Sequence, residues 1–227
     1  MTVSIIIPVF HESALINTAL ARIRSAQAGA PVEVIVVDGA DEGDTLAALR
    51  GGEVKGLLSE KGRGAQMNRG AEAANGDVLL FLHVDTALPQ GWSRLVNEAM
   101  EDGRFVGGAF DLAIDSPEVA FRLIEKVASL RSRLTRVPYG DQAIFMRRDY
   151  FLRLRGYRET ALMEDLELMR RVKKEGGAIF IIPERVRTSG RRWAREGLVR
   201  CTLRNWTIAL LYLFGVSPEK LARWYPS

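Results

Sequence analysis

Hydrophobic residues in the first hundred positions come in short unbroken blocks. Positions 3–9, 32–37 and 78–84 are β-branched or leucine-rich, of strand length and apolar on both faces. That is the pattern of parallel strands covered on both sides. Between the first two blocks Leu15, Ala19, Ile23 and Ala26 recur at helical spacing. Between the second and third lie an apolar stretch at 46–49, a weaker strand near 54–58 and a helix-like segment at 65–74. The resulting β-α-β-α-β order predicts a doubly wound α/β sheet over residues 1–102.

The second half is more mixed. A strand is predicted over 105–114, and Ser116-Pro117 has the form of an N-cap and first-turn proline for a helix. In that helix Ala120, Leu123, Val127, Leu130 and Leu134 form the apolar stripe, with Arg122, Lys126, Arg131 and Arg133 off it. A short strand follows at 143–146, a helix at 165–175 and a strand at 178–182. No Pro/Ser-rich linker or repeat interrupts this order. The expected organisation is one domain over 1–190, with a first part to 115 and a second from 116, followed by a tail over 191–227.

Composition narrows the class. Of 227 residues, 47% are hydrophobic and 26% charged, as in a globular protein rather than a disordered or fibrous one. The net charge of +4 hides a gradient: residues 1–115 carry a net −7, 116–184 a net +4 and 185–227 a net +7. The single cysteine, Cys201, leaves no internal disulfide and no thiolate zinc site, and two histidines, His11 and His83, build no multi-histidine one. The first residues lack a basic leader with a long apolar stretch, and the longest apolar run, 206–216, is too short to span a bilayer. A cytoplasmic protein is expected.

In open parallel α/β sheets, ligands bind beyond the carboxyl ends of the strands. Those positions here are acidic: Glu12 after the first strand, Asp38 after the second and Asp85 after the third. Loop carboxylates such as Asp41, Glu42 and Asp44 are ordinary turn residues. Asp38 and Asp85 each end an apolar strand directly, which favours a binding role. Asp85 is a candidate ligand for Mg²⁺ or Mn²⁺ shared with a substrate phosphate, and Asp38 a candidate acceptor for a base N–H. A glycine-rich basic stretch at 60–70 precedes a helix and suits phosphate, but it is neither a dinucleotide fingerprint nor a P-loop. Asp141 is open between a turn role and sugar or acceptor hydroxyls. Glu164-Asp165 opens a helix, where carboxylates also complement the dipole.

Taken in order, SIIIPVFHE, VIVVDGADEGDT, GRGAQMNRGAEAANGDVLLFLHVDTALP, GDQAIFMRR and MEDLELMRRVKKEGG resemble glycosyltransferase family 2 over residues 3–183. The resemblance implies a GT-A-type, Rossmann-like, mostly parallel sheet and an inverting transferase using a nucleotide-sugar donor, UDP-linked, and a divalent metal. It places Pro8, Phe10 and Glu12 beside the nucleoside, Asp38 on the base and Arg63 on the nucleotide. His83-Val84-Asp85 takes the place of the family's D-x-D metal motif, with His83 where the first Asp usually stands, open between a metal, a donor or a packing role. Glu164-Asp165 takes the place of the family's E-D pair, Asp165 being the base. Arg191-Arg192-Trp193 resembles an R-W element, which would put Trp193 on the acceptor and the two arginines on the diphosphate or in a solvated loop. Thr188-Ser189 stands where many relatives carry a His.

The tail mixes arginines with Trp206, Leu210, Leu211, Tyr212, Leu213 and Phe214. It suits a membrane interface, peripheral at the inner face, and a buried docking or homodimer helix too, the second being the plainer reading. No nucleic-acid motif accompanies the basic residues. The acceptor is a hydroxyl on a small or lipid-like molecule. The rivals are a nucleotidyltransferase of related fold, disfavoured because Pro8–Glu12 occupies its glycine-loop position, and a non-catalytic nucleotide-sugar-binding or membrane-docking module.

Overall fold

The computed structural model describes residues 1–29 and 32–224; the last three positions of the expected tail lie outside the described residues. The chain runs β1 (Val3–Val9), α1 (Ile16–Ala26), β2 (Val32–Asp38), α2 (Asp44–Ala47), β3 (Val54–Leu58), α3 (Arg63–Ala73), β4 (Val78–Phe81), β5 (Thr86–Ala87), α4 (Trp92–Glu101) and β6 (Phe105–Asp115). It continues through α5 (Val119–Thr135), a 3-10 turn (Gly140–Gln142), β7 (Phe145–Arg147), α6 (Arg148–Arg153), α7 (Glu164–Lys174) and β8 (Ala178–Ser189). The helices α8 (Arg191–Glu196), α9 (Leu198–Leu213) and α10 (Pro218–Ala222) follow.

The strands form one sheet in the order β3-β2-β1-β4-β7-β6-β8-β5. β1, β2, β3 and β4 are parallel, β7 pairs antiparallel with both β4 and β6, and β6 runs parallel to β8. This is the predicted α/β class. The reason the strands read as solid apolar blocks is visible in the packing. Ile5, Ile7, Val34, Val36, Leu80 and Leu82 bury on one face, against α1 and α4. Ile6, Ile35, Val37, Leu79 and Phe81 bury on the other, with Met67 and Ala71 of α3 and Leu168, Met169 and Val172 of α7. Successive side chains point to opposite faces, so two cores require hydrophobic residues at every position.

At the middle of the sheet β6 runs between β7 and β8 with no room to spare. A β-carbon on Gly108 would lie 2.2 Å from the Phe180 carbonyl oxygen and 2.5 Å from the Phe145 ring, so this position admits only glycine.

Three boundaries differ from the sequence reading, each for a local reason. The strand predicted over 78–84 (β4) stops at Phe81, and His83–Asp85 beyond it line the cleft. The last strand extends through Pro183 to Ser189, because the register against β6 jumps from Ile182 to Arg185 and the proline sits in the bulge. Ser116 is not the N-cap of α5. The helix starts at Val119, and Ser116 Oγ accepts the Glu118 N–H at 3.4 Å.

The orientation of α5 is also reversed. The expected apolar stripe faces outward, with Leu123 68%, Leu130 58% and Leu134 74% exposed, and Phe121, Glu125 and Ser132 are the buried positions. Polar groups on the inner face have specific partners. The Glu125 carboxylate accepts the Ile114 N–H at 2.7 Å and pairs with Arg122 at 3.0 Å. The Ser132 hydroxyl accepts from Gln142 Nε2 at 3.0 Å. These bonds, rather than hydrophobic periodicity, set the helix's rotation.

Candidate functional site

The carboxyl ends of β1 and β4 splay a cleft of about 630 Å³ where the strand order reverses around β1, the position at which such sheets bind ligands. Its walls combine Pro8 and Glu12 after β1, Arg63 at the start of α3, His83–Asp85 after β4, Tyr139–Asp141, and Glu164-Asp165 at the start of α7. Arg191, Arg192 and Trp193 of α8, with Asn205 and Ile208 of α9, close it. Eleven of the thirteen residues singled out from the sequence therefore line one cavity.

The two exceptions are Phe10 and Asp38. Phe10 lies outside the cleft lining, 39% exposed, with the Lys61 ammonium 4.2 Å from its ring centre. Asp38 is fully buried. Its Oδ1 accepts the Ala40 N–H at 3.0 Å, and its Oδ2 accepts those of Thr45 at 3.0 Å and Leu46 at 3.4 Å. The carboxylate is consumed in folding the loop after β2 and starting α2. Asp38→Asn is expected to cost about 1–2 kcal/mol in urea unfolding, since an amide nitrogen cannot accept those N–H groups. UDP affinity of the folded variant should stay within about twofold of wild type. A loss of affinity without a loss of stability would return Asp38 to the base.

Asp165 is held by backbone. Its Oδ2 accepts the Gly140 N–H at 2.6 Å and its Oδ1 the Leu166 N–H at 2.7 Å. A β-carbon on Gly140 would stand 3.3 Å from His83 Nε2 and 3.5 Å from Asp165 Oδ2, so the turn brings the end of β4 and the start of α7 together through a residue with no side chain. Met163, just before the acidic pair, has φ 65°, a left-handed conformation costly for a non-glycine residue and characteristic of functional sites.

The acidic wall is arranged for protonation near neutral pH. Burial, then the neighbouring Asp165, raises Glu164 from 4.5 to about 7. Burial raises Asp141 from 3.8 to about 6, and Asp165 adds to the effect against Arg131. Burial also raises Glu12, with Asp85 adding and Arg191 opposing. The turn carrying Asp141 is anchored by Gln142, whose Nε2 donates to the Phe110 carbonyl at 2.9 Å, while the Arg131 guanidinium stacks 3.3 Å from the Tyr139 ring centre.

The opposite wall is cationic. β5 pairs with the end of β8, Thr86 opposite Thr188, with the two hydroxyls 3.3 Å apart. That pairing delivers Arg191 to Asp85, Nη2 to Oδ2 3.3 Å. His83 is driven down from 6.5 to about 3 by burial and by Arg63 and Arg192, and Arg192 is itself lowered by burial and by Arg63.

The expected metal site, Asp85 with His83, does not meet this geometry. Among the described residues no three His, Cys, Asp or Glu side chains are grouped to hold an ion. The carboxylate already carries a guanidinium, and the imidazole sits in the field of two more. Divalent Mg²⁺ and Mn²⁺ seek oxygen-rich, anionic surroundings.

Sequence reasoning missed Gln66, Tyr139 and Gln142. Gln66 is buried, and its Nε2 donates to carbonyls near the ends of β1 and β2, Val9 at 2.7 Å and Val37 at 2.8 Å, which ties the two strand ends together. A glutamine in an otherwise apolar helical face was the available signal. Trp193 lines the cleft but is also tied down, its Nε1 donating to Thr202 Oγ1 at 3.2 Å and its ring meeting Phe121 edge-on.

Known proteins share the fold and the family. The chain is 34% identical over 116 residues to an undecaprenyl-phosphate 4-deoxy-4-formamido-L-arabinose transferase of Aeromonas hydrophila, a stretch covering 46% of this chain and only 36% of that protein. The S. aureus TarS 1–349 structure in complex with UDP superposes with a TM-score of 0.63 at 15% identity, over 83% of this chain and 60% of the other. The complex with UDP-GlcNAc gives 0.62 at the same identity, over 83% and 58%. The curved, mostly parallel sheet with flanking helices is thus the GT-A fold. The model of glycosyl transferase family 2 matches residues 4–160, which takes in the strand-end residues through Asp141 and stops before Glu164. On that match the chain belongs to glycosyl transferase family 2.

Proposed function

We propose that the chain is an inverting transferase that moves a sugar from a nucleoside-diphosphate donor, UDP-linked, to a hydroxyl of a lipid-like acceptor, with Asp165 as general base. The observation that carries this reading is the fixed Asp165 carboxylate in the same cleft as the cationic wall. In one displacement the acceptor oxygen bonds to the anomeric carbon and its proton passes to Asp165. The bond from that carbon to the diphosphate breaks with its electron pair leaving on the diphosphate, and configuration inverts. Arg63, Arg191 and Arg192 face the departing charge. Pro8 and Glu12 border the nucleoside, Asp141 meets sugar or acceptor hydroxyls, and Trp193 forms the acceptor wall. No step is routed through a metal on Asp85, because Arg191 holds that carboxylate.

The outward face of α9 supports a lipid-side acceptor. Leu203, Trp206, Leu210, Leu213 and Phe214 are exposed on it, while Asn205 and Ile208 of the same helix line the cleft. Arg200 is exposed beside this apolar face, while Arg204 turns in to pair with Glu196, so the face suits a bilayer surface that carries anionic lipid. No described helix is long and apolar enough to cross a membrane.

The test is to incubate the full chain with UDP-, GDP- and dTDP-sugars and a long-chain alcohol in phosphatidylglycerol vesicles. Nucleoside-diphosphate release and an inverted anomeric configuration are expected. Phe214→Ser with Leu210→Ser should lower vesicle co-sedimentation by about tenfold or more. Retention of configuration, or release of pyrophosphate from a nucleoside triphosphate, would overturn the reading.

A further inference from the structure

Asp165 does not set its own orientation. One carboxylate oxygen takes the N–H of the next residue, Leu166, at 2.7 Å, a bond local to the start of α7. The other takes the Gly140 N–H at 2.6 Å, from a turn 25 positions earlier in the chain. Where the carboxylate points therefore depends on what fixes that turn. Its last residue, Gln142, is fully buried behind the cleft wall. A carboxamide offers two donor hydrogens and two acceptor sites, and here all four are used. Nε2 donates to the Phe110 carbonyl at 2.9 Å and to the Ser132 hydroxyl at 3.0 Å. Oε1 accepts the Tyr139 N–H at 3.2 Å and Arg131 Nη2 at 3.3 Å. The Ser132 hydroxyl turns its own proton back toward the Ala128 and Ser129 carbonyls of α5, so toward Gln142 it is an acceptor. One side chain thus ties the turn to β6 and α5 together. The next residue, Ala143, is buried with φ 49°, a left-handed conformation that persists only where the surroundings enforce it.

We infer that Gln142 is a positioning residue for the general base, holding the turn in the register that aims the Gly140 N–H at Asp165. The inference rests on the assignment of Asp165 as base proposed above. Gln142 lies outside the cleft lining, whereas Tyr139, Gly140 and Asp141 of the same turn are in it. It acts on the reaction only through them. The chemistry of the position requires an amide. An ionised carboxylate of the same shape has no hydrogen to give the Phe110 carbonyl or the Ser132 hydroxyl, and an apolar chain of the same length leaves the Tyr139 N–H without its acceptor. A turn released from these bonds shifts, and the Gly140 N–H leaves the carboxylate oxygen. Displacing a reacting group by about 1 Å costs on the order of a hundredfold in rate.

A double-mutant cycle separates positioning from general support of the fold. Gln142→Met, Asp165→Asn and the pair are made in the full chain. Single-turnover sugar transfer from the UDP-sugar to the long-chain alcohol in vesicles is measured beside calorimetric titration of UDP and the thermal midpoint. Gln142→Met is expected to lower transfer by about tenfold to a hundredfold, with UDP affinity within about threefold of wild type. In the Asp165→Asn background the same change should cost less than about twofold, because the base it orients is already gone. Ser132→Ala removes one of the four bonds with little change in volume, and should show the same pattern at about threefold. If the midpoint shows that Gln142→Met does not fold, Ser132→Ala decides the question in the same cycle. Equal losses in both backgrounds, or transfer at the wild-type rate in the folded variant, would overturn the inference and leave Asp165 as the base. Wild-type transfer by Asp165→Asn would remove the base itself, and a wild-type protein that transfers no sugar would remove the transferase reading; the inference falls with either.

Discussion

Asp165→Asn should lower the rate of sugar transfer by about three orders of magnitude while leaving nucleoside-diphosphate affinity within about twofold of wild type. The substitution is nearly isosteric and removes basicity, charge and one of two backbone hydrogen bonds. Both carboxylate oxygens are engaged by backbone N–H groups, Gly140 at 2.6 Å and Leu166 at 2.7 Å. An asparagine keeps one of these and turns its amide toward the other, so the side chain stays in the cleft. What disappears is the lone pair that accepts the acceptor's proton. Single-turnover transfer with saturating donor, beside calorimetric titration of UDP, separates the two quantities. Lost donor affinity with unchanged turnover would remove Asp165 as the base and make it a wall of the donor pocket.

Much of this arrangement was legible in the sequence because it follows from chain order. Unbroken apolar blocks identify strands buried on both faces, and the residue after each block falls at a strand end whatever the details of packing. Glu12 and Asp85 were found that way, the acidic pair of α7 only through the resemblance to the family, and all line the cleft. What stayed hidden depended on contacts between segments distant in sequence. Asp85 meets Arg191 across 106 positions, and only the β5–β8 pairing brings them together. Asp38 has the same position after its strand as Asp85, yet turns inward because Ala40, Thr45 and Leu46 offer it unpaired N–H groups. The α5 stripe misled for a further reason. Periodicity reports that a helix has an apolar face, not that the face points inward, and here Glu125 and Ser132 hold the other side against β6 and the 3-10 turn.

Glu164→Gln should make the protein more stable at pH 8 by about 3 kcal/mol, with no gain near pH 4. The carboxyl is buried beside Asp165, and its pKa is raised from 4.5 to about 7 by burial and by that neighbour. The folded state therefore binds this proton more tightly than the unfolded chain. Below pH 4.5 both states are protonated and the group is neutral in the balance. As pH rises from about 4.5 to 7 the unfolded chain releases its proton first, and the wild-type protein loses stability; above 7 the deficit is constant. Glutamine has the same shape and no proton to lose, so the difference between variant and wild type should grow through that window and then level. Urea unfolding at pH 4, 6 and 8 reads it directly, and a difference independent of pH would mean that Glu164 is not held as a buried acid. Adjacent carboxylates disfavour each other's charge. A Glu164 that takes up its proton near pH 7 spares Asp165 that repulsion, so the glutamine variant should transfer sugar at pH 6 as wild type does.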